Sequence, residues 1–117
     1  MEDIIRIATR NSPLALIQAK KVEAILKQDA KIKVKPMTSS GDKVSDKIFK
    51  QHGGKGLFIK ELEDSLLKKE TDIAVHSLKD VPAEINNKFD IATISNRENP
   101  FDALVSEKYK SIYDLPK

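Results

Sequence analysis

Three short clusters in this sequence carry side chains able to do chemistry. The densest is His76-Ser77-Leu78-Lys79-Asp80-Val81-Pro82, which sets a hydroxyl, an ammonium and a carboxylate within four residues just after an apolar run. With Lys79 beside it as a cationic partner, the Asp80 carboxylate suits a group that holds a cationic intermediate. The plainer reading of the same residues is a polar turn closed by Pro82. The second cluster, Thr9-Arg10-Asn11-Ser12-Pro13, falls at a strand-to-helix turn. Such a turn offers free N–H groups at a positive dipole end, and Arg10 adds a fork matched to a carboxylate. Its plainer reading is a capping turn with a surface arginine. The third, Gly53-Gly54-Lys55-Gly56, combines a backbone that can approach an anion closely with the charge of Lys55. It is not a Walker loop, because Gly56 follows Lys55 where that pattern needs Ser or Thr. A flexible hinge into a helix is its plainer reading. His76 is read as packing against a sheet. His76 and His52 have no partners at ligand spacing, so no metal site is expected.

These clusters need elements to position them. Residues 4–8 form a short apolar run read as a buried strand. Ser12 as N-cap and Pro13 at the first helical position open a helix that ends near Gln28 and Asp29. Leu14, Ile17, Val22, Ile25 and Leu26 recur at helical spacing and are expected to face the sheet. Residues 32–37 alternate apolar and basic side chains, a strand near a sheet edge because Pro36 cannot donate to a ladder. A 17-residue connection, 38–54, follows; a loop that long is usually functional or mobile. Residues 57–68 are expected to be helical, with Phe58, Leu62 and Leu66 spaced by four. Further strands are expected at 72–76, 89–94 and 103–105. Strands alternating with helices imply βαβ units and a mostly parallel α/β sheet. Ligands of such sheets sit beyond the carboxyl ends of the strands, where all three clusters converge.

Composition narrows the classes. The chain has 117 residues, enough for one modest domain with a core. A formal net charge of +3, spread along the chain, slightly favours a small acidic ligand; no basic run interleaves with aromatics, so nucleic acid is not expected as a partner. Cysteine is absent, which removes disulfides and thiolate metal sites and suits the cytoplasm. The acidic, soon polar N-terminus does not read as a signal peptide, and no apolar stretch approaches the roughly 20 residues of a membrane span.

Four ordered blocks together resemble the porphobilinogen deaminase (hydroxymethylbilane synthase) family. They are Arg6-Ile7-Ala8-Thr9-Arg10-Asn11-Ser12-Pro13-Leu14-Ala15, Gly53-Gly54-Lys55-Gly56-Leu57-Phe58-Ile59-Lys60-Glu61-Leu62-Glu63, Asp72-Ile73-Ala74-Val75-His76-Ser77-Leu78-Lys79-Asp80-Val81-Pro82 and Arg97-Glu98-Asn99-Pro100-Phe101-Asp102-Ala103-Leu104-Val105-Ser106. The resemblance implies a doubly wound domain like those of type II periplasmic binding proteins. It implies an enzyme of tetrapyrrole (porphyrin, haem) biosynthesis that joins porphobilinogen head to tail with loss of ammonia to give hydroxymethylbilane. It implies Asp80 as the catalytic aspartate, and Arg10, Ser12, Lys55, Ser77 and Lys79 as residues binding substrate and cofactor. The implied cofactor is dipyrromethane, attached through a cysteine that this chain lacks. Residues 1–96 would then be the first domain, without its later-returning segment, and 97–117 the crossover into a truncated second domain. On that reading the 117-residue chain is inactive alone and self-associates through 97–117, whereas the full-length enzyme is monomeric. Two departures stand out: Gln51 occupies a position where the family often has Lys, and Leu78 replaces a frequent Met. The alternative is a non-catalytic binding module that captures a small carboxylate.

Overall fold

The structure, a computed structural model, describes residues 3–39 and 56–117. The chain divides into two compact units, Met1–Asn86 and Asn87–Lys117. In the first, β1 (Ile4–Arg10), α1 (Pro13–Leu26), β2 (Lys31–Met37), α2 (Lys60–Leu67) and β3 (Ile73–Ala74) are followed by a 3-10 turn at Leu78–Asp80. The three strands form a parallel sheet in the order β2-β1-β3. β1 pairs with β2 along its whole length, from Ile4 opposite Lys31 to Arg10 opposite Met37. On its other side Ile7 and Ala8 pair with Ile73 and Ala74. Ile7, Ala8 and Thr9 are wholly buried as a result. The expected α/β class and parallel sheet are therefore present.

Helix α1 starts as expected. Ser12 is extended, its hydroxyl oxygen accepts the Ala15 N–H, and Pro13 opens the helix. Its packing face differs from the expected one. Ala15 and Ala19 are buried and Val22 and Leu26 half-buried, whereas Leu14, Ile17 and Ile25 remain exposed. At 100° per residue, 15, 19, 22 and 26 form one stripe, and its two alanines let the backbone approach the sheet closely. The larger side chains are displaced to the flanks.

Helix α2 begins later than expected, after turns at 56–59. Gly56 has φ +73, the left-handed region that glycine reaches without strain, and open space surrounds its missing Cβ. Leu62 and Ile59 carry the burial, and Phe58 is half-buried. The helix closes in a Schellman arrangement. Lys69 N–H donates to Leu66 O (3.0 Å) and Glu70 N–H to Ser65 O (2.9 Å), with Lys69 at φ 56.

The strand expected at 72–76 shrinks to Ile73–Ala74 because side chains replace part of its ladder. The Asp72 carboxylate accepts the Arg6 backbone N–H (2.7 Å) and grips the Arg6 guanidinium at 2.9 and 2.7 Å. Backbone bonds from Asp72 N–H to Arg6 O and from Val75 N–H to Ala8 O flank the two paired residues.

In the second unit, the strands expected at 89–94 and 103–105 are absent; the only regular element described there is a 3-10 turn at Ile112–Asp114. A strand leaves a row of N–H and C=O groups that must find a partner, and none of the described strands pairs with this segment. Local side-chain caps serve instead: Ser106 Oγ accepts the Lys108 and Tyr109 N–H groups, and Ser111 Oγ that of Tyr113. Phe101, Val105 and Tyr113 are almost fully exposed.

Two stability outcomes follow. Lys69→Gly should raise unfolding stability by about 1 kcal/mol in urea titrations, since glycine removes the left-handed penalty of a Cβ; an unchanged or lowered midpoint would contradict the strain. Hydrogen bonds donated to the Asp72 carboxylate by the Arg6 guanidinium, then by the Arg6 backbone N–H, hold the Asp72 carboxyl at about 2, below its usual 3.8. A depressed acid contributes stability that is full above its unfolded value and is lost as pH falls through the folded one. Asp72→Asn should therefore flatten the acid limb of the stability curve between about pH 4 and pH 2.

Candidate functional site

The order β2-β1-β3 reverses direction between β1 and β3, and in open parallel sheets that reversal opens a crevice beyond the carboxyl ends of the two strands. Arg10 is the last residue of β1, and Ser77, Lys79 and Asp80 follow β3. A cavity of about 140 Å3 lies there, lined by Arg10, Ser12, Leu14, Ala15, Val75, His76, Ser77, Lys79 and Asp80. Five of the six residues expected to form the site thus meet in one place. The sixth, Lys55, lies outside the described residues, as do Gln51 and His52.

Asp80 sits at the end of the 3-10 turn Leu78–Asp80, its N–H bonded to Ser77 O. The turn folds its side chain back toward β1. Its cationic partner is Arg10, at 3.2 Å between Nη1 and Oδ2, with both side chains largely shielded at 17% and 16% exposure. The sequence neighbour Lys79 lines the cavity from an exposed position instead. Adjacent residues on a tight turn point apart, so the pairing suggested by sequence adjacency gives way to one across 70 residues.

Phe58 holds the other side of Arg10. The guanidinium carbon lies 4.1 Å from the ring centroid, a cation–π contact. Spacing with Leu62 and Leu66 marks Phe58 only as an apolar helix residue, and its ring reaches the site because the turns at 56–59 precede the helix. Gln18 also escapes sequence reasoning: Ser77 Oγ donates to Gln18 Oε1 at 2.8 Å. The one signal for it was a polar residue next to the buried stripe of α1, four positions after Leu14.

Ser12 both caps α1 and lines the cavity. Behind it, the buried Thr9 hydroxyl donates to Ala15 O at 3.3 Å, tying the strand end to the first helical turn. His76, expected to pack against the sheet, is half-buried and lines the cavity. Burial lowers its pKa below 6.5, nearby Asp80 opposes that shift, and Arg10 adds to it. Among the described residues no group of three or more His, Asp or Glu side chains is placed to hold a metal ion. No helix among them is long and apolar enough to cross a membrane.

The arrangement is a cavity of about 140 Å3 in a parallel α/β protein, with cations, hydroxyls and a carboxylate in its wall. Comparison with known proteins specifies the class. Residues 5–117 match the family model described as porphobilinogen deaminase, dipyromethane cofactor binding domain, and the chain belongs to that family. It is 53% identical over 118 residues to a porphobilinogen deaminase of Legionella pneumophila (strain Paris), covering 97% of this chain and 38% of that protein. The porphobilinogen deaminases of Ruthia magnifica and Rickettsia canadensis are 51% and 50% identical over 120 residues, 100% of this chain and 40% of each relative. The chain therefore spans about two fifths of the length of these relatives.

An NMR titration should place the His76 ring midpoint below 6.5. Asp80→Asn should move it further down, because the charge that raises it is removed, and Arg10→Gln should move it up. Midpoints that do not respond to either substitution would contradict the shared pocket.

Proposed function

We propose that this domain binds pyrrole rings for the head-to-tail polymerisation of porphobilinogen to hydroxymethylbilane, within a complete enzyme of tetrapyrrole biosynthesis. The observation that carries the reading is the Asp80 carboxylate in a ring-sized cavity beside Arg10 and Lys79. A pyrrole with acetate and propionate arms presents an N–H donor on its ring and anions on its periphery. Arg10, Ser12 and Lys79, with Lys55, would hold the anionic arms, and Asp80 and Ser77 the ring. A cavity near 140 Å3 is comparable to one that admits a single benzene, so it has room for a pyrrole ring.

The same donors and acceptors fit dipyrromethane, whose two rings carry the same arms; when bound it supplies the first acceptor ring. The chain has no cysteine, so the covalent attachment belongs to another part of the enzyme. In the proposed reaction the aminomethyl C–N bond of porphobilinogen breaks, its electron pair leaves with nitrogen, and protonation releases ammonia. The methylene pyrrole left behind is cationic. Asp80, facing the ring N–H, stabilises that charge in a shielded site where electrostatic interactions are stronger than in water. The new C–C bond forms to a free α-carbon of the growing pyrrole chain, and the proton lost there is taken up at the Asp80 carboxylate and passed to solvent.

A module that only captured a small carboxylate would gain nothing from Asp80, because a carboxylate beside its basic residues repels the ligand. We extend the proposal to the architecture: a doubly wound, type II periplasmic-binding-protein-like domain, with residues 97–117 forming the crossover to a second domain. Right-handed crossovers that run in opposite directions across the sheet, from β1 out to β2 and then from β2 back past β1 to β3, would place α1 and α2 on opposite faces of the sheet.

In the complete enzyme, Asp80→Asn should reduce turnover on the order of a hundredfold or more while leaving the fold intact, because the swap keeps shape and removes charge. Near-normal turnover by this variant would refute the role.

A further inference from the structure

We infer that Gln18 sets the direction of the Ser77 hydroxyl, so that Ser77 meets the cavity as a hydrogen-bond acceptor and recognises the ring N–H of a pyrrole. The inference rests on the reading that this cavity receives pyrroles, and it divides that site into donating and accepting parts.

A serine hydroxyl has one proton to donate and two lone pairs to accept. Ser77 Oγ lies 2.8 Å from Gln18 Oε1, and an amide oxygen only accepts, so the Ser77 proton is committed to Gln18. What Oγ offers the cavity is a lone pair. Ser12 is arranged the other way. Its oxygen accepts the Ala15 N–H at 3.3 Å, which leaves its proton to point outward. Two serines that line one cavity and look equivalent in sequence therefore differ: Ser12 keeps a proton to donate and Ser77 does not.

The rest of the wall sorts in the same manner. Arg10 and Lys79 only donate, and an ionised Asp80 only accepts. Ser12, Arg10 and Lys79 suit anionic arms, whereas Ser77 and Asp80 suit a ring N–H. Gln18 itself does not line the cavity; it is half-buried on α1, four residues beyond Leu14, which does. It is a positioning residue that acts through Ser77. Without it the Ser77 proton is free to turn toward a carboxylate arm and bind the ring in the wrong orientation.

The test uses the complete enzyme with Gln18→Leu, which cannot accept, and Gln18→Glu, which keeps an accepting oxygen. Two unreactive ligands are compared by calorimetry: a pyrrole bearing acetate and propionate arms, and its furan counterpart, in which a ring oxygen replaces N–H. Both carry the same charge, so the ratio of their affinities isolates the ring contact from the charge that Glu adds. Wild type should prefer the pyrrole. Gln18→Leu should reduce that preference about fivefold to tenfold, the loss of one hydrogen bond, and Gln18→Glu should retain it. The thermal midpoints should agree within a few degrees. A preference that survives in Gln18→Leu, or is lost equally in Gln18→Glu, overturns the inference. Asp80→Asn separates this from failure of the underlying reading. If that variant loses turnover while the Gln18→Leu preference persists, only the role of Gln18 falls. If it keeps turnover, the pyrrole site falls and the inference with it.

Discussion

The parallel pairing of β1 on both of its edges is the constraint on which the rest depends. A central strand buries its backbone, so every N–H and C=O group in it needs a neighbour. β2 supplies one row of partners over seven residues, and β3 supplies the other over only two. The β3 pairing is too short to hold its own register. Two ion pairs bracket it: Arg6 with Asp72 before the paired residues, and Arg10 with Asp80 after them. Arg6 and Arg10 are four apart on one strand and so project from the same face. A slip of one residue would turn the β3 side chains to the wrong face and break both bridges.

The two bridges differ in consequence. Arg6 and Asp72 are open to solvent, where an ion pair is screened and contributes mainly by fixing geometry. Arg10 and Asp80 are shielded, and the Phe58 ring covers the guanidinium further. Charges withdrawn from water interact more strongly with each other and with any ligand that enters. The same side chains that hold β3 against β1 therefore form the wall of the cavity. Structural contacts and the proposed site are joined at the carboxyl end of the sheet, where the strand order opens a crevice.

The second unit shows the converse. Its apolar residues Ile94, Phe101, Val105, Ile112 and Tyr113 are exposed, and its backbone is held by serine caps rather than by a ladder. Apolar runs become strands only when another strand accepts their hydrogen bonds. The runs at 89–94 and 103–105 carry the composition of strands without that partner among the described residues.

Much of this protein was legible in its residues. Ser12-Pro13 marked the start of α1 because capping is local: the side chain that satisfies an orphan N–H lies three residues away. The short apolar run at β1, the alternating one at β2 and their separation by a helix indicated a parallel sheet, since periodicity and connection length are also local. Family-specific blocks pointed to Arg10, Ser12, Ser77, Lys79 and Asp80. Tertiary structure alone decided how they meet. Adjacency suggested Lys79 as the partner of Asp80, and a 3-10 turn gave that place to Arg10, 70 residues away. Periodicity assigned Leu14, Ile17 and Ile25 to the interface of α1, and close approach through Ala15 and Ala19 moved them out. The Gln18–Ser77 hydrogen bond and the Phe58–Arg10 contact join distant segments, and no local rule reports which side chains two packed elements bring within 3 to 4 Å. Local geometry determines what each segment can offer; packing determines which offers are taken up.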